Sequence, residues 1–302
     1  MKKLLLGISL LLLASIKLLA QDVDSTYKPV PVPQGFTKQL NVIYKQVKDW
    51  IGRVDIYLPP VKDKPVPVVI NIHGGAWRKG AKEAQGGFNT YFKLGFAVAN
   101  VEYRLSSQGV APAAIEDVRC VMQYLINHAD SLHIDVTKII FAGSSAGAHL
   151  ALMAGLTANI NNPFDKDCPV SSKTYKIAAI IAQSTPSVLY STRADGQLQV
   201  LKDGAVYEWF GGRKDDENFA QKLSPVTYVS KDNPPIFLSH GDADGRVPYQ
   251  QSVDLDAKLT KAGVKHVFIT IPGGGHGGYS KEKQDEIKNA ITEFLKENVI
   301  NK

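Results

Sequence analysis

The 302-residue sequence predicts an α/β fold, a mostly parallel central sheet flanked by helices and carrying a small inserted cap. Three observations predict it. Runs at 66–72, 96–101 and 139–142 are almost unbroken apolar, the pattern of strands covered on both faces rather than on one. Stretches of helical period follow them, at 113–128 and beyond Gly147. Strand and helix then keep alternating to the C-terminal end, the order that builds parallel sheets through crossover connections.

Residues 1–20 read as a secretory signal peptide, with Lys2 and Lys3 ahead of an apolar run that starts at Leu4. That run is short for a membrane span, so cleavage after Ala20 is expected, leaving no stable membrane anchor and a periplasmic or secreted chain. Residues 21–37 are rich in proline and polar residues and read as a lead-in. Residues 38–302 are expected to form one domain. Within it, 40–47 and 54–58 alternate like an antiparallel pair, while 66–72, ending at His73, reads as a central strand. Further strands are expected at 177–182, 236–239 and 266–271, and helices after Tyr249 and over 282–299. The stretch 187–228, with Tyr190, Tyr207, Trp209 and Phe210, breaks the alternation. A long insert of this kind is either a lid over a functional site or a packed surface excursion.

Composition narrows the function. The formal charge is +6, three units of it on Lys2, Lys3 and Lys17, and no basic run interleaves with aromatics, so nucleic acid is not an expected partner. The lysine- and glutamate-rich stretch 281–296 reads as a solvated helix face. Cys120 and Cys168 are the only cysteines. Export would allow them to form a disulfide, yet Cys120 sits in a helix-like stretch where a buried thiol fits equally well. No zinc-type Cys/His spacing occurs, so neither a metal nor another cofactor is expected.

The chemistry centres on Gly143-Ser144-Ser145-Ala146-Gly147, set between a strand and a helix. That order is a nucleophile elbow: the serine sits on a strained turn, and side chains at 143 or 147 would strike the neighbouring strand and helix. A serine nucleophile needs a base, a group to orient the base, and donors for the developing oxyanion. The loop after 236–239 offers Asp242 and Asp244, of which Asp244 is the favoured acid because it lies deeper in the loop. The loop after 266–271 offers His276 between glycines as the base. The amide of Ala146, with those of Gly74 and Gly75, is the expected oxyanion hole, and His73 is expected to brace that loop. Trp77 and Tyr103 are candidate substrate contacts, with Trp77 either walling the pocket or simply packing. His149 and His240 read as structural, and His128, His133 and His266 have no evident partner. Asp117 and Arg119 read as structural, and Arg104 as one member of an ion pair.

These motifs together resemble the secreted α/β-hydrolase esterases of the broad hormone-sensitive-lipase and carboxylesterase superfamily. Within it the chain is most similar to the bacterial feruloyl/acetyl-xylan esterase-type domain. The matching residues are His73-Gly74-Gly75-Ala76-Trp77, Tyr103-Arg104-Leu105-Ser106, Gly143 to Leu150, His240-Gly241 with Asp244 and Val247-Pro248, and Gly275-His276-Gly277. The resemblance implies a Ser145–His276–Asp244 triad with Gly74, Gly75 and Ala146 as oxyanion donors. It also implies hydrolysis of small-molecule or oligosaccharide esters, acetyl or feruloyl, through an acyl-enzyme. Ala76 and Ser144 depart from the lipase branch, which usually has glycine and aspartate there, and this argues against long acyl chains. Rival readings are an exopeptidase or amidase with the same triad, a short-chain carboxylesterase without carbohydrate preference, and a non-catalytic binding domain.

Overall fold

The computed structural model describes residues 30–61, 63–158, 163–165, 168–192, 198–201 and 203–301. The expected signal peptide and most of the lead-in lie outside the described residues. Among the described residues ten strands form, β1 (Thr37–Val47), β2 (Trp50–Leu58), β3 (Val66–Ile72), β4 (Ala97–Val101), β5 (Ile134–Ser144), β6 (Ile177–Gln183), β7 (Tyr190–Thr192), β8 (Leu198–Val200), β9 (Ile236–Gly241) and β10 (His266–Ile271). Eight helices join them: α1 (Asn89–Lys93), α2 (Ala113–Asn127), α3 (Ala129–Leu132), α4 (Ala146–Leu156), α5 (Gly204–Phe210), α6 (Glu217–Lys222), α7 (Gln250–Ala262) and α8 (Lys281–Leu295).

Eight strands make one sheet in the order β1-β2-β4-β3-β5-β6-β9-β10. Every pairing from β4 to β10 is parallel, and β1–β2 and β2–β4 are antiparallel. The buried residues of the central strands divide by the two-residue period of a strand. Val68 and Ile70 of β3, with Ile139 and Phe141 of β5, face the layer of α2, α4 and α7. Val69 and Ile140 face the layer of α1 and α8. A continuous apolar run was the right signature because these strands have no solvent face.

α4 packs unusually close to the sheet. It is buried along its whole length, and a Cβ added to Gly155 would lie 2.5 Å from Ile180 Cδ1. Over its described residues, the stretch 187–228 carries more regular structure than the sequence suggests. It holds the β7–β8 ribbon, α5, α6 and a 3-10 turn at Pro225–Tyr228. Both cap helices are too short to show a period, but their N-caps are plain: Asp203 accepts from the amides of Ala205 and Val206, and Asp216 from Phe219. Among the described residues no helix is long and apolar enough to cross a membrane.

Cys120 of α2 is disulfide-bonded to Cys168, closing a 48-residue separation around β5 and α4. Beside it Arg119 is fully buried, holds Asp165 with two nitrogens and donates to Ala154 O at 3.1 Å. Arg104 grips Asp117 through Nε at 2.8 Å and Nη2 at 2.7 Å, and Lys45 joins Asp117 at 3.2 Å. Both arginines thus hold elements together rather than reaching a site.

Candidate active site

Ser145 stands at the end of β5 with φ 54° and ψ −126°, a conformation that costs a non-glycine residue about 1–3 kcal/mol. Its neighbours enforce it. The Ser145 amide donates to Gln183 O at 2.8 Å and its carbonyl accepts from the His149 amide at 3.1 Å. A Cβ on Gly143 would fall 2.5 Å from the backbone of Gly147, and one on Gly147 would fall 2.2 Å from Ile72 O. Only hydrogens fit at these two points, because α4 starts directly against β3 and β5.

The loop beyond β10 brings His276 to the same point. Its Nε2 lies 2.9 Å from Ser145 Oγ and its Nδ1 lies 2.6 Å from Asp244 Oδ2. An ionised carboxylate can only accept, so Nδ1 carries the hydrogen and Nε2 is left to receive the serine proton. Asp244 is held ionised. Burial pushes its pKa up, but the amides of Arg246 and Val247 and the donor from His276 outweigh this and hold it below the usual carboxylate range. Those two amides reach Oδ1 at 2.8 and 3.0 Å.

Oδ2 receives a second donor. His240 Nε2 lies 3.0 Å from Asp244 Oδ2 and 3.1 Å from Val247 O, while its Nδ1 lies 2.6 Å from Ser252 Oγ. Burial lowers the pKa of His240 and Asp244 offsets only part of this, so the ring is a neutral donor through Nε2. Asp242 is turned away from His276, and its Oδ1 accepts from the Gly273 amide at 2.7 Å, tying the acid loop to the histidine loop.

Gly74, Gly75 and Ala146 line one cavity of about 1230 Å³ together with Ser145 and His276. Ala146 opens α4, so its N–H has no intrahelical acceptor. A Cβ on Gly74 would sit 3.4 Å from Ser145 Cβ, which measures how near this loop comes. Three successive residues of the loop, Gly75, Ala76 and Trp77, have φ of 120°, 54° and 57°. His73 braces the loop from below: its Nδ1 donates to Gly74 O at 2.7 Å, and burial lowers its pKa to about 4.

Tyr103 is not a substrate contact. It is 1% exposed, its ring stacks on His73 at 4.2 Å, and its hydroxyl donates to His73 O at 3.0 Å, behind the loop rather than in the cavity. Its place directly after β4 suggested a mouth position, but the strand end is covered by the loop it supports. Trp77 belongs to the cavity wall, yet it is only 3% exposed because its indole stacks on Trp209. His128 and His266 do have partners, Tyr124 O for the first and Val264 O and Asp256 for the second. The pairing with Tyr124 O is one helical turn away, that with Val264 O is two residues away and that with Asp256 is tertiary, and none leaves a mark in the sequence. Sequence reasoning also missed cavity residues scattered over loops, strand ends and helices, among them Gln183, Leu189, Val206, Arg246, Gln251 and Tyr279. The cap supplies two of these, so it walls the cavity. Among the described residues no group of three or more His, Cys, Asp and Glu side chains is placed to hold a metal ion.

Three comparisons extend this picture. The family model described as BD-FAE matches residues 54–259, which includes the elbow and the acid loop and stops short of His276. The chain is 28% identical to "Esterase LipC" of Mycobacterium tuberculosis, over 71% of this chain and 53% of that one. It is also 28% identical to "Esterase LipQ" of the same organism, over 80% of this chain and 58% of that one. The chain therefore spans little more than half the length of these relatives. Among solved structures, a "Truncated form of carbohydrate esterase from gut microbiota" superposes with a TM-score of 0.72 and 28% identity, covering 90% of this chain and 98% of that one.

Proposed function

Since the chain belongs to the BD-FAE family, we propose that it is a serine esterase that hydrolyses carboxylic esters through an acyl-enzyme, with Ser145, His276 and Asp244 as its catalytic residues. The observation that carries the reading is the unbroken hydrogen-bond line from Ser145 Oγ to His276 Nε2 at 2.9 Å and from His276 Nδ1 to Asp244 at 2.6 Å. In this mechanism Ser145 Oγ attacks the ester carbonyl carbon while its proton passes to His276 Nε2. The carbonyl oxygen becomes an oxyanion received by the amides of Ala146 and the Gly74–Gly75 loop. His276 then hands its proton to the leaving alcohol, and Asp244 stabilises the imidazolium and fixes its tautomer. Water, deprotonated by the same histidine, releases the acid and restores Ser145.

The substrates we propose are short or aromatic acyl esters, acetyl or feruloyl, carried on plant polysaccharide or its oligosaccharides. Two features support this class. The likeness to a carbohydrate esterase extends over nearly the whole described chain. The cavity mixes apolar wall, from Pro186, Val188, Leu189 and Val206, with a polar rim of Asp203, Arg246 and Asp254, which suits an acyl group attached to a hydroxylated alcohol. Export across a membrane is part of the same proposal, supported by the signal-like residues 1–20 and by a disulfide that persists in oxidising compartments.

The test is a substrate panel of acetylated xylan, methyl ferulate, p-nitrophenyl esters of rising acyl length and aminoacyl-p-nitroanilides. The reading expects turnover of acetyl or feruloyl esters, a fall in kcat/KM with long chains, and no cleavage of the anilides. Preferential cleavage of the anilides would replace esterase by exopeptidase.

A further inference from the structure

The residues Gly75, Ala76 and Trp77, all at positive φ, form a loop that must hold two amides beside Ser145. Two of them carry side chains, and non-glycine residues do not keep this conformation unless the surroundings impose it. The internal bonds of the loop join the amides of Arg78 and Lys79 to Gly75 O at 3.2 and 3.1 Å. Something else must fix Trp77.

What does so comes from the cap. The Trp77 indole lies on the indole of Trp209 with ring centroids 4.6 Å apart and planes 6° from parallel. His149, one turn into α4 behind Ser145, meets both indoles edge-on at 5.1 and 5.3 Å. Trp209 is fully buried near the end of α5, where its carbonyl accepts from the Ala111 amide at 2.7 Å. The residue before it, Glu208, reaches outward to the same loop. It accepts from Ser106 Oγ at 2.6 Å and pairs with Arg78 at 3.4 Å, and the Ser106 amide in turn donates to Trp77 O at 2.8 Å. His149 closes the circuit: its Nε2 donates to Leu223 O, just past α6, at 2.7 Å. Neither indole N–H, nor His149 Nδ1, has a hydrogen-bond partner, so the two indoles are held by face and edge contact and only His149 is also anchored by a hydrogen bond, through Nε2.

We propose that Trp209 is a positioning residue for catalysis, holding the Gly74–Trp77 loop in its left-handed turn so that the oxyanion amides stand ready, with Glu208 as its outer clamp. The cap then does more than wall the cavity: the nucleophile helix, the oxyanion loop and the cap are locked together through His149, Trp77 and Trp209. The proposal rests on the serine-esterase reading for its readout and concerns which residue prepares that site.

The experiment compares the wild type with W209A, W209F and E208Q, using p-nitrophenyl acetate across pH and thermal unfolding of each protein. Removing one oxyanion donor costs about 10²–10³ in turnover, so partial release of the loop in W209A is expected to lower kcat by about 10–100-fold with little change in KM. The midpoint of the pH profile should stay with the wild type, because the Ser145–His276–Asp244 line is untouched. W209F, which keeps an aromatic face, should recover most of kcat, whereas a role in bulk stability alone would not sort the variants this way. E208Q, at an exposed position, should lower kcat several-fold without loss of melting temperature. If W209A fails to fold, the ranking of E208Q and W209F against the wild type decides. A folded W209A with wild-type kcat, or, where W209A does not fold, an E208Q with wild-type kcat, would overturn the proposal. A wild type inactive on every ester would instead sink the esterase reading itself.

Discussion

Replacing Asp244 by asparagine keeps the shape of the side chain and turns one accepting oxygen, which holds two hydrogen bonds, into a donor. Oδ1 would still accept from the amides of Arg246 and Val247, which orients the new group and puts the NH2 where Oδ2 stood. That NH2 would face two donors, His276 Nδ1–H at 2.6 Å and His240 Nε2–H at 3.0 Å. His276 can escape only by moving its hydrogen to Nε2, the nitrogen that must take the proton from Ser145. A tautomer error of this kind lowers kcat by about 10⁴, or about 5 kcal/mol of barrier. His240 has a worse choice, because its other tautomer would turn an Nε2 lone pair toward Val247 O at 3.1 Å. Loss of these charge-assisted bonds should lower folding stability by about 2–3 kcal/mol. The assay is steady-state hydrolysis of p-nitrophenyl acetate with chemical denaturation alongside. KM should change little, since Asp244 does not touch substrate. A variant that keeps kcat within about tenfold of wild type would rule out this tautomer-fixing role for Asp244.

Other outcomes follow from the same geometry. Y103F removes the donor to His73 O and should cost about 1 kcal/mol of stability while leaving KM unchanged, checked by denaturant titration and kinetics. Removing the Cys120–Cys168 bridge by the double serine variant frees a 48-residue separation and should destabilise by about 2–4 kcal/mol, read as a lower denaturation midpoint. Stability should rise with pH between about 4 and 6.5. His73 and His149 are lowered to about 4 by burial, so the unfolded chain binds protons there that the folded chain refuses, worth up to about 3 kcal/mol for each. Glu102, raised to about 7 mainly by burial, opposes this as pH climbs, but it is partly exposed and its contribution is screened. A flat or falling stability profile over that window would contradict the assignment of both histidines as buried and neutral.

The parts of the fold that carry strong periodicity were legible. β3 and β10 match the expected 66–72 and 266–271, and α2 ends one residue short of the expected 128. The three residues at the centre of the site were legible for a different reason: each sits on a loop directly after a strand, so sheet topology alone converges them. What could not be read depends on contacts made at a distance. α1, α3, α5 and α6 are each seven residues or fewer, below the length at which a helical period can be seen, and they form because neighbours bury them. Tyr103 was misassigned because a tyrosine after a strand looks the same whether it faces a cavity or the underside of a loop. The second donor on Asp244 was invisible because His240 is an ordinary strand residue until the loop folds back over it. The disulfide was an open choice, since nothing in the chain across a sequence separation of 48 sets the distance between α2 and Cys168.

Stoichiometric treatment with a fluorophosphonate followed by peptide mass spectrometry tests most directly whether Ser145 is an activated nucleophile. A single adduct on Ser145 is expected, absent from S145A and formed far more slowly in H276A. An unmodified Ser145, or labelling that persists on another residue in S145A, would contradict that role.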